Sequence, residues 1–164
     1  MGRCYSDDMM AEKQNYRLIA ENRKAFHEYH IEERFEAGIE LTGTEVKSAR
    51  NHNVNLRDSF ARIDKGELWL ERAHISPYAH GNRFNHEPWR RRKLLMKKRE
   101  INRLAGKMRE KGFTIVPLKM YWKGNWAKVE VALVRGKALY DKRAAIKERE
   151  GKRIVERAMR TSVR

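Results

Sequence analysis

Cysteine is almost absent from this chain, in which Cys4 is the only one among 164 residues. A single thiol cannot close an internal disulfide, and it cannot supply the several thiolates of the usual structural zinc sites. The 6 histidines contain no H-x-x-x-H pair that would offer zinc two ligands from one helix. We therefore predict a reducing compartment, no metal site and no cofactor.

Long apolar stretches and catalytic motifs are also missing. No segment approaches the roughly 18 apolar residues that a membrane-spanning helix needs, and none resembles the apolar part of a secretion signal. The chain has no phosphate-binding G-x-x-x-x-G-K-[ST] loop, no G-x-S-x-G nucleophile motif and no dinucleotide-binding fingerprint. These absences predict a soluble cytoplasmic protein that is not an enzyme and has no catalytic residues.

Negative charge is scarce in the second half of the chain. The 38 Lys and Arg outnumber the 22 Asp and Glu, which gives a formal net charge of +16. Residues 1–40 hold 6 basic and 9 acidic side chains, whereas residues 81–164 hold 26 and 8. A basic excess of this size attracts polyanions, so a nucleic acid is the leading partner class.

The length suits one globular domain with appendages. Residues 1–22 show no sustained period and are expected to be a loose leader, and residues 23–135 are expected to form the domain. Residues 136–164 are polar and net positive. They are predicted to be a disordered tail with nascent helix, because they bury too little apolar surface to offset the entropy lost on ordering.

Alternating apolar residues dominate the central part. They predict strands over residues 26–41, 54–63, 67–75, 92–96, 113–121 and 126–134. A capping-box pattern at Thr42 predicts a short helix, and the apolar stripe Ile101, Leu104, Ala105 and Met108 predicts a second helix over 98–111. Gly38 indicates a bulge or a close approach, and Pro117 an edge or a bulge.

Many short strands in one small domain predict a mainly β fold with small helices. A closed or nearly closed antiparallel barrel of the oligonucleotide-binding type is favoured, because an open sheet of this size would leave hydrophobic edges. Trp69, Trp122 and Trp126 lie within strand patterns and are expected to pack in the core or at an edge.

A basic run over residues 90–99 borders a loop over residues 78–89 that carries aromatic and amide side chains. Planar side chains beside guanidinium groups suit stacking on unpaired bases, which favours RNA over duplex DNA. A merely solvated basic face is the alternative. The RNA-binding candidates are Asn82, Arg83, Arg92, Lys93, Lys97 and Lys98.

The chain from about Asn22 to Arg160 resembles the SmpB (small protein B) family, the partners of transfer-messenger RNA (SsrA RNA) in bacteria. The stretches that carry the resemblance are NRKAFHEYHIEERFEAGIELTGTEVKSAR, VNLRDSF, HISPYAHGNRFNHEP, RRKLLMKKREI and GKALYDKRAAIKERE. The resemblance implies a role in trans-translation, the rescue of stalled ribosomes. The barrel is then expected to hold the transfer-RNA-like domain and to take the place of the anticodon arm.

The resemblance also implies roles for individual residues. Glu36 and Leu95 fall on positions implicated in the grip on transfer-messenger RNA, and Lys97 stands where some members have Asn. The tail is expected to enter the decoding centre and the empty message channel of the stalled 70S ribosome. The tail residues implied in that step are Tyr140, Asp141, Lys142, Arg143, Ile146, Lys147, Arg149 and Met159.

The same charge pattern also fits a structural ribosomal protein that binds ribosomal RNA, which is the main alternative. Both interpretations exclude a membrane partner. Off the ribosome, we expect a monomer.

Overall fold

A computed structural model describes residues 16–81, 85–110, 112–137, 150–151 and 153–154. Within these residues the strands are β1 Tyr16–Glu21, β2 Tyr29–Ile39, β3 Val54–Asn55, β4 Phe60–Asp64, β5 Glu67–Glu71, β6 His74–Ile75, β7 Arg92–Leu95, β8 Phe113–Lys123 and β9 Trp126–Gly136. The helices are α1 Arg23–Glu28, α2 Gly43–Arg50 and α3 Lys98–Met108. No helix of the described part is long and apolar enough to cross a membrane.

Six of the strands close into an antiparallel ring in the order β8-β4-β5-β7-β2-β9, because β9 also pairs with β8. Closure leaves these six strands without a free edge. The short strands β3 and β6 pair with each other outside the ring. The predicted mainly β fold, with a closed or nearly closed antiparallel arrangement, is therefore confirmed.

Strand β1 lies within the segment that was expected to be a loose leader, and for residues 16–22 that expectation was wrong. Tyr16 to Glu21 pair with β8, and Ile19 is buried in the main core. A short strand with a single buried residue has no visible period in the sequence, so only its partner strand reveals it. Residues 1–15 lie outside the described part.

Helix α1 replaces the predicted strand at Phe26 to Glu28, which is a second correction. Asn22 starts this helix, since its side-chain oxygen accepts from the Ala25 N–H at 3.2 Å. The Asn22 amide also donates to the carbonyls of Leu56 at 3.1 Å and Pro117 at 3.2 Å. One buried amide thus ends β1, caps the helix and ties both to the ring.

The strands predicted over residues 54–63 and 67–75 pair as a hairpin, but both are interrupted. Lys65 and Gly66 both have positive φ, 48° and 76°, as the two central residues of a type I′ turn require. Asp58 at φ 60° and Arg72 at φ 56° then break the two long runs. The outer pieces consequently pair as β3 and β6 rather than extending the ring.

The structure explains the glycine and the proline that lie within predicted strands, Gly38 and Pro117. The β8–β9 register shifts between Pro117 and Lys119, so Pro117 lies at a bulge and not at an edge. Gly38 pairs with Leu95 of β7, and a Cβ on Gly38 would lie 3.4 Å from the Leu95 Cβ. Gly38 therefore marks the predicted close approach.

The main core fills the ring, and Leu104 of the predicted α3 stripe is fully buried in it. A second cluster lies outside β8 and β9, where Val116, Leu118, Ala132 and Val134 pack under Ala25 of α1. This helix explains why β9 is buried on both faces although its sequence alternates. Trp126 contradicts the core or edge prediction, because it is 75% exposed beside the β8–β9 turn.

Candidate RNA interface

Glu36 and Leu95, which lie 59 positions apart in the sequence, meet on the outer face of the ring. Leu95 ends β7 and pairs with Gly38, and Glu36 faces the same side as Gly38 because side chains alternate along a strand. Leu94 points inward and is buried, whereas Leu95 is 54% exposed. An exposed leucine beside a carboxylate is an available contact surface and not part of the core.

The row across this face is Leu95 on β7, Gly38 on β2, Lys128 on β9 and Tyr121 on β8. Gly38 has no side chain, and the Leu95 side chain lies beside it, with its Cδ1 3.7 Å from where a Cβ on Gly38 would be. Glycine within a strand commonly marks a place where a ligand or another backbone approaches closely. We call Leu95, Gly38, Lys128 and Glu36, together with the buried Tyr121 that holds Glu36, the Glu36–Leu95 surface.

Glu36 is held by a hydrogen bond and two cations. Tyr121 donates its hydroxyl to the Glu36 carboxylate at 2.6 Å, and the ammonium groups of Lys128 and Lys123 lie at 3.5 and 4.0 Å. The Tyr121 hydrogen bond and the two lysines hold the pKa of Glu36 below its usual range. Burial and Glu36 together raise the pKa of Tyr121. Glu36 is therefore a fixed negative acceptor within a basic surface.

Tyr16 of β1 covers the Tyr121 ring, with ring centroids 4.5 Å apart. Strand β1, which was not predicted from the sequence, thus helps to orient Tyr121, whose hydroxyl donates to Glu36. Tyr121 and Lys128 were also missed as members of this surface. Their signal was the alternation along β8 and β9, which places Lys128 outward opposite Gly38.

The basic run beside this surface contains side chains of two kinds. Lys97, Lys98 and Arg99 are exposed where β7 passes into α3, and within the described part of the chain they form no ion pair. Lys93 is half-buried and pairs with Glu67 of the neighbouring strand β5. The free cations therefore lie at the Leu95 end of β7.

Arg92 cannot contact RNA, so this predicted site residue was wrong. Its side chain and that of Glu45 are each 0% exposed, and Arg92 Nε donates to Glu45 Oε1 at 2.9 Å. Its remaining donors reach the carbonyls of Ala73 at 2.6 Å, Arg90 at 2.8 Å and Pro88 at 3.1 Å. Strand alternation turns Arg92 into the protein, where it joins β7 to α2 and the loops.

Glu45 carries the other half of this buried network. Arg90 donates to Glu45 Oε2 at 2.7 Å, and the Thr42 N–H donates to the same oxygen at 2.8 Å, as the capping-box pattern predicts. Burial alone would raise the pKa of Glu45, but the bonds from Arg90 and Thr42 and the charge of Arg92 hold it below its usual value. The network is structural and stands apart from the Glu36–Leu95 surface.

The loop candidates Asn82 and Arg83 lie outside the described residues. The tail candidates Tyr140, Asp141, Lys142, Arg143, Ile146, Lys147, Arg149 and Met159 do so as well. The start of the tail is fixed, because the Lys137 N–H donates to the Glu28 carbonyl of α1 at 2.9 Å. Gly136 ends β9, so the tail leaves the ring beside α1.

Comparison with known proteins agrees with this architecture. The family described as SmpB protein matches residues 19–161. The SsrA-binding protein of Carboxydothermus hydrogenoformans is 65% identical over 144 residues, which cover 88% of this chain and 97% of the relative. That of Listeria welshimeri is 58% identical over 144 residues, or 88% and 94% of the two chains.

A solved structure described as "tmRNA-SmpB: a journey to the center of the bacterial ribosome" is similar in fold. Its TM-score is 0.63 at 51% sequence identity, over 73% of this chain and 85% of that chain. The family match over residues 19–161 includes the ring, both residues of the Glu36–Leu95 pair and most of the basic tail. On these grounds the chain belongs to the SmpB family.

Proposed function

We propose that this protein binds transfer-messenger RNA and acts with it in trans-translation, the rescue of stalled ribosomes. The observation that carries the proposal is the 65% identity to an SsrA-binding protein over 97% of that relative's length. The convergence of Glu36 and Leu95 on one outer face supports it, because positions far apart in sequence meet where the family's RNA contacts are expected. The protein acts in the cytoplasm, and it is a binding protein that does not itself catalyse a reaction.

The Glu36–Leu95 surface and its neighbouring cations bind the transfer-RNA-like domain. Lys97 and Lys98 contact phosphates, because they are exposed and carry no partner within the described residues. Leu95 packs on a ribose or base face, and Glu36 accepts a hydrogen bond from the RNA beside it. Lys93, Asn82 and Arg83 belong to the same interface.

The tail acts after binding. Tyr140, Asp141, Lys142 and Arg143 contact the decoding centre, and residues from Ile146 to Met159 become helical in the empty message channel. Contact of this polar basic segment with the RNA of an empty message channel makes the step dependent on an unoccupied ribosome. The ring therefore determines the affinity for transfer-messenger RNA, and the tail determines whether the stalled ribosome is rescued.

Two experiments test the proposal. Sequencing the RNA that co-purifies with the protein should recover one transfer-messenger RNA, enriched with stalled ribosomes. Steady one-to-one occupancy of all ribosomes would instead indicate a structural ribosomal protein.

The interface is tested with Leu95→Ala, which should weaken binding about fivefold, because about half a leucine surface is newly buried. Leu95→Met is the matched control, since methionine keeps an apolar side chain of similar size at this exposed position. Equal losses in the two variants would show that the apolar surface of Leu95 does not contribute to binding.

A further inference from the structure

Trp89 lies in a surface cleft that the proposed interface does not use. Asn55, Arg57, Asp58 and Arg72 line the cleft with Trp89, and its volume is about 520 Å³. Trp89 is 59% exposed. The volume falls within the range of roughly 300–1,000 Å³ typical of sites for small ligands.

Trp89 is held in place although it is exposed. The carbonyls of Pro88 and Arg90, on either side of it, both accept hydrogen bonds from the buried Arg92 guanidinium, at 3.1 and 2.8 Å. His74 packs against one side of the indole, with ring centroids 4.7 Å apart. The indole is therefore presented to solvent by a fixed backbone, which reduces the entropy lost when a planar ligand stacks on it.

Two exposed guanidinium groups face the same cleft. In the part of the chain that the structure describes, the Arg72 side chain has no hydrogen-bond partner, and the nearest carboxylate to Arg57 is Asp58 at 3.8 Å. The Asp58 carboxylate is itself engaged by Lys24 at 2.6 Å. Both arginines thus keep donors available, and a guanidinium binds a phosphate with two parallel hydrogen bonds.

The cleft lies at the opposite end of the strands from the Glu36–Leu95 surface. Trp89 precedes β7, Arg72 follows β5 and Arg57 precedes β4, whereas Leu95 is the last residue of β7. The pairing of Leu70 with Arg92 and of Leu68 with Leu94 fixes this direction. A ligand in the cleft would therefore not compete with one on the Glu36–Leu95 surface.

We propose that this cleft binds one unpaired RNA nucleotide, with its base stacked on the Trp89 indole and its phosphate held by Arg57 and Arg72. The inference rests on the proposed function, because that function brings the protein against two large RNAs. Stacking on an aromatic ring tolerates every base, so the cleft has little base preference.

The test uses the full chain and a fluorescein-labelled single-stranded hexauridylate, with binding followed by anisotropy. Trp89→Ala should weaken binding by roughly 5- to 150-fold, the range seen for loss of one base stack. Trp89→Tyr should restore most of the affinity, whereas Trp89→Leu should not, because leucine is apolar but has no π face. Trp126→Ala is the matched control, as Trp126 is exposed outside the cleft.

The arginines are tested by the salt dependence of binding. Arg57→Gln with Arg72→Gln should lower the slope of log K against log salt by up to about 0.7, since the two side chains hold one phosphate and each phosphate contact on a single strand contributes about 0.7. Arg62→Gln is the control, because Arg62 is an exposed cation on the ring. Unchanged slopes, equal losses for Trp89→Ala and Trp126→Ala, or full binding by Trp89→Leu would overturn the proposal.

Two further measurements identify the source of the nucleotide. The Trp89→Ala variant is titrated with transfer-messenger RNA and, separately, with small ribosomal subunits; the RNA toward which affinity falls is the source. No loss toward either RNA would overturn the proposal. Failure of the proposed function would appear differently, as a wild-type protein that does not bind transfer-messenger RNA at all.

Discussion

Replacing the buried Arg92 by methionine should strongly lower the free energy of unfolding and leave the RNA contacts of the folded protein unchanged. The substitution removes the bond to Glu45 and leaves the carbonyls of Ala73 and Arg90 without this donor. Removal of one member of a buried ion pair costs about 3–5 kcal/mol, and each buried acceptor left without a donor costs about 1–3 kcal/mol. Because Glu45 retains Arg90, each cost is taken at its lower limit, and we expect a total loss of about 5 kcal/mol in the free energy of unfolding.

The neighbouring Arg91 provides the control. Its side chain is 57% exposed, lies over the Trp69 ring at 4.8 Å and is 3.7 Å from Asp64. Exposed pairs of this kind contribute about 0–1 kcal/mol, so Arg91→Met should change stability by no more than that. The two variants differ by one position at the start of β7, where the Arg91 side chain is exposed and the Arg92 side chain is buried.

Guanidinium denaturation followed by tryptophan fluorescence measures both variants, and the salt dependence of transfer-messenger RNA binding is measured on the folded protein. Adding Glu45→Gln to Arg92→Met should cost less than the sum of the single changes, because the two groups are coupled. The reasoning is refuted if Arg92→Met unfolds at the same midpoint as Arg91→Met while its salt slope falls, since Arg92 would then be reaching a phosphate.

Three further outcomes are expected. The contribution of Glu45 to the free energy of unfolding should be fully present above the usual glutamate pKa of 4.5 and should be lost as the pH falls through the lowered folded-state pKa of Glu45. In thermal melts between pH 6 and 2.5, the melting temperature of Glu45→Gln should therefore decline less steeply than that of the natural chain. Gly66→Ala should cost about 1–2 kcal/mol in chemical denaturation, because Gly66 has φ 76° with open space around it, whereas Gly43→Ala, with ordinary φ and open space, should cost nothing. Neutral replacement of Lys142 and Arg143 should leave transfer-messenger RNA binding within a few-fold and abolish tagging, and an equal loss in both assays would contradict the division between ring and tail.

The stripe of α3, the strands on either side of Gly66 and the capping box at Thr42 were readable from the sequence because each depends on residues within a few positions of one another. The same holds for Gly38, which has no side chain, and for Pro117, which has no amide proton, because both properties belong to the residue itself. Local rules failed where a distant partner decided the outcome. Strand β1 forms because it pairs with β8. Helix α1 begins after Asn22 because the Asn22 amide donates to carbonyls 34 and 95 positions away in the sequence.

The basic character, the mainly β class and the likeness to a family follow from the order of the amino acids, since charge, alternation and motif order are properties of the linear chain. Which of the cations are available depends on how the chain folds. Arg91 and Arg92 are identical neighbours in the sequence, yet one faces solvent and the other is enclosed with Glu45. The reason is that strand alternation gives two faces, and only the closure of the ring determines which face is inside.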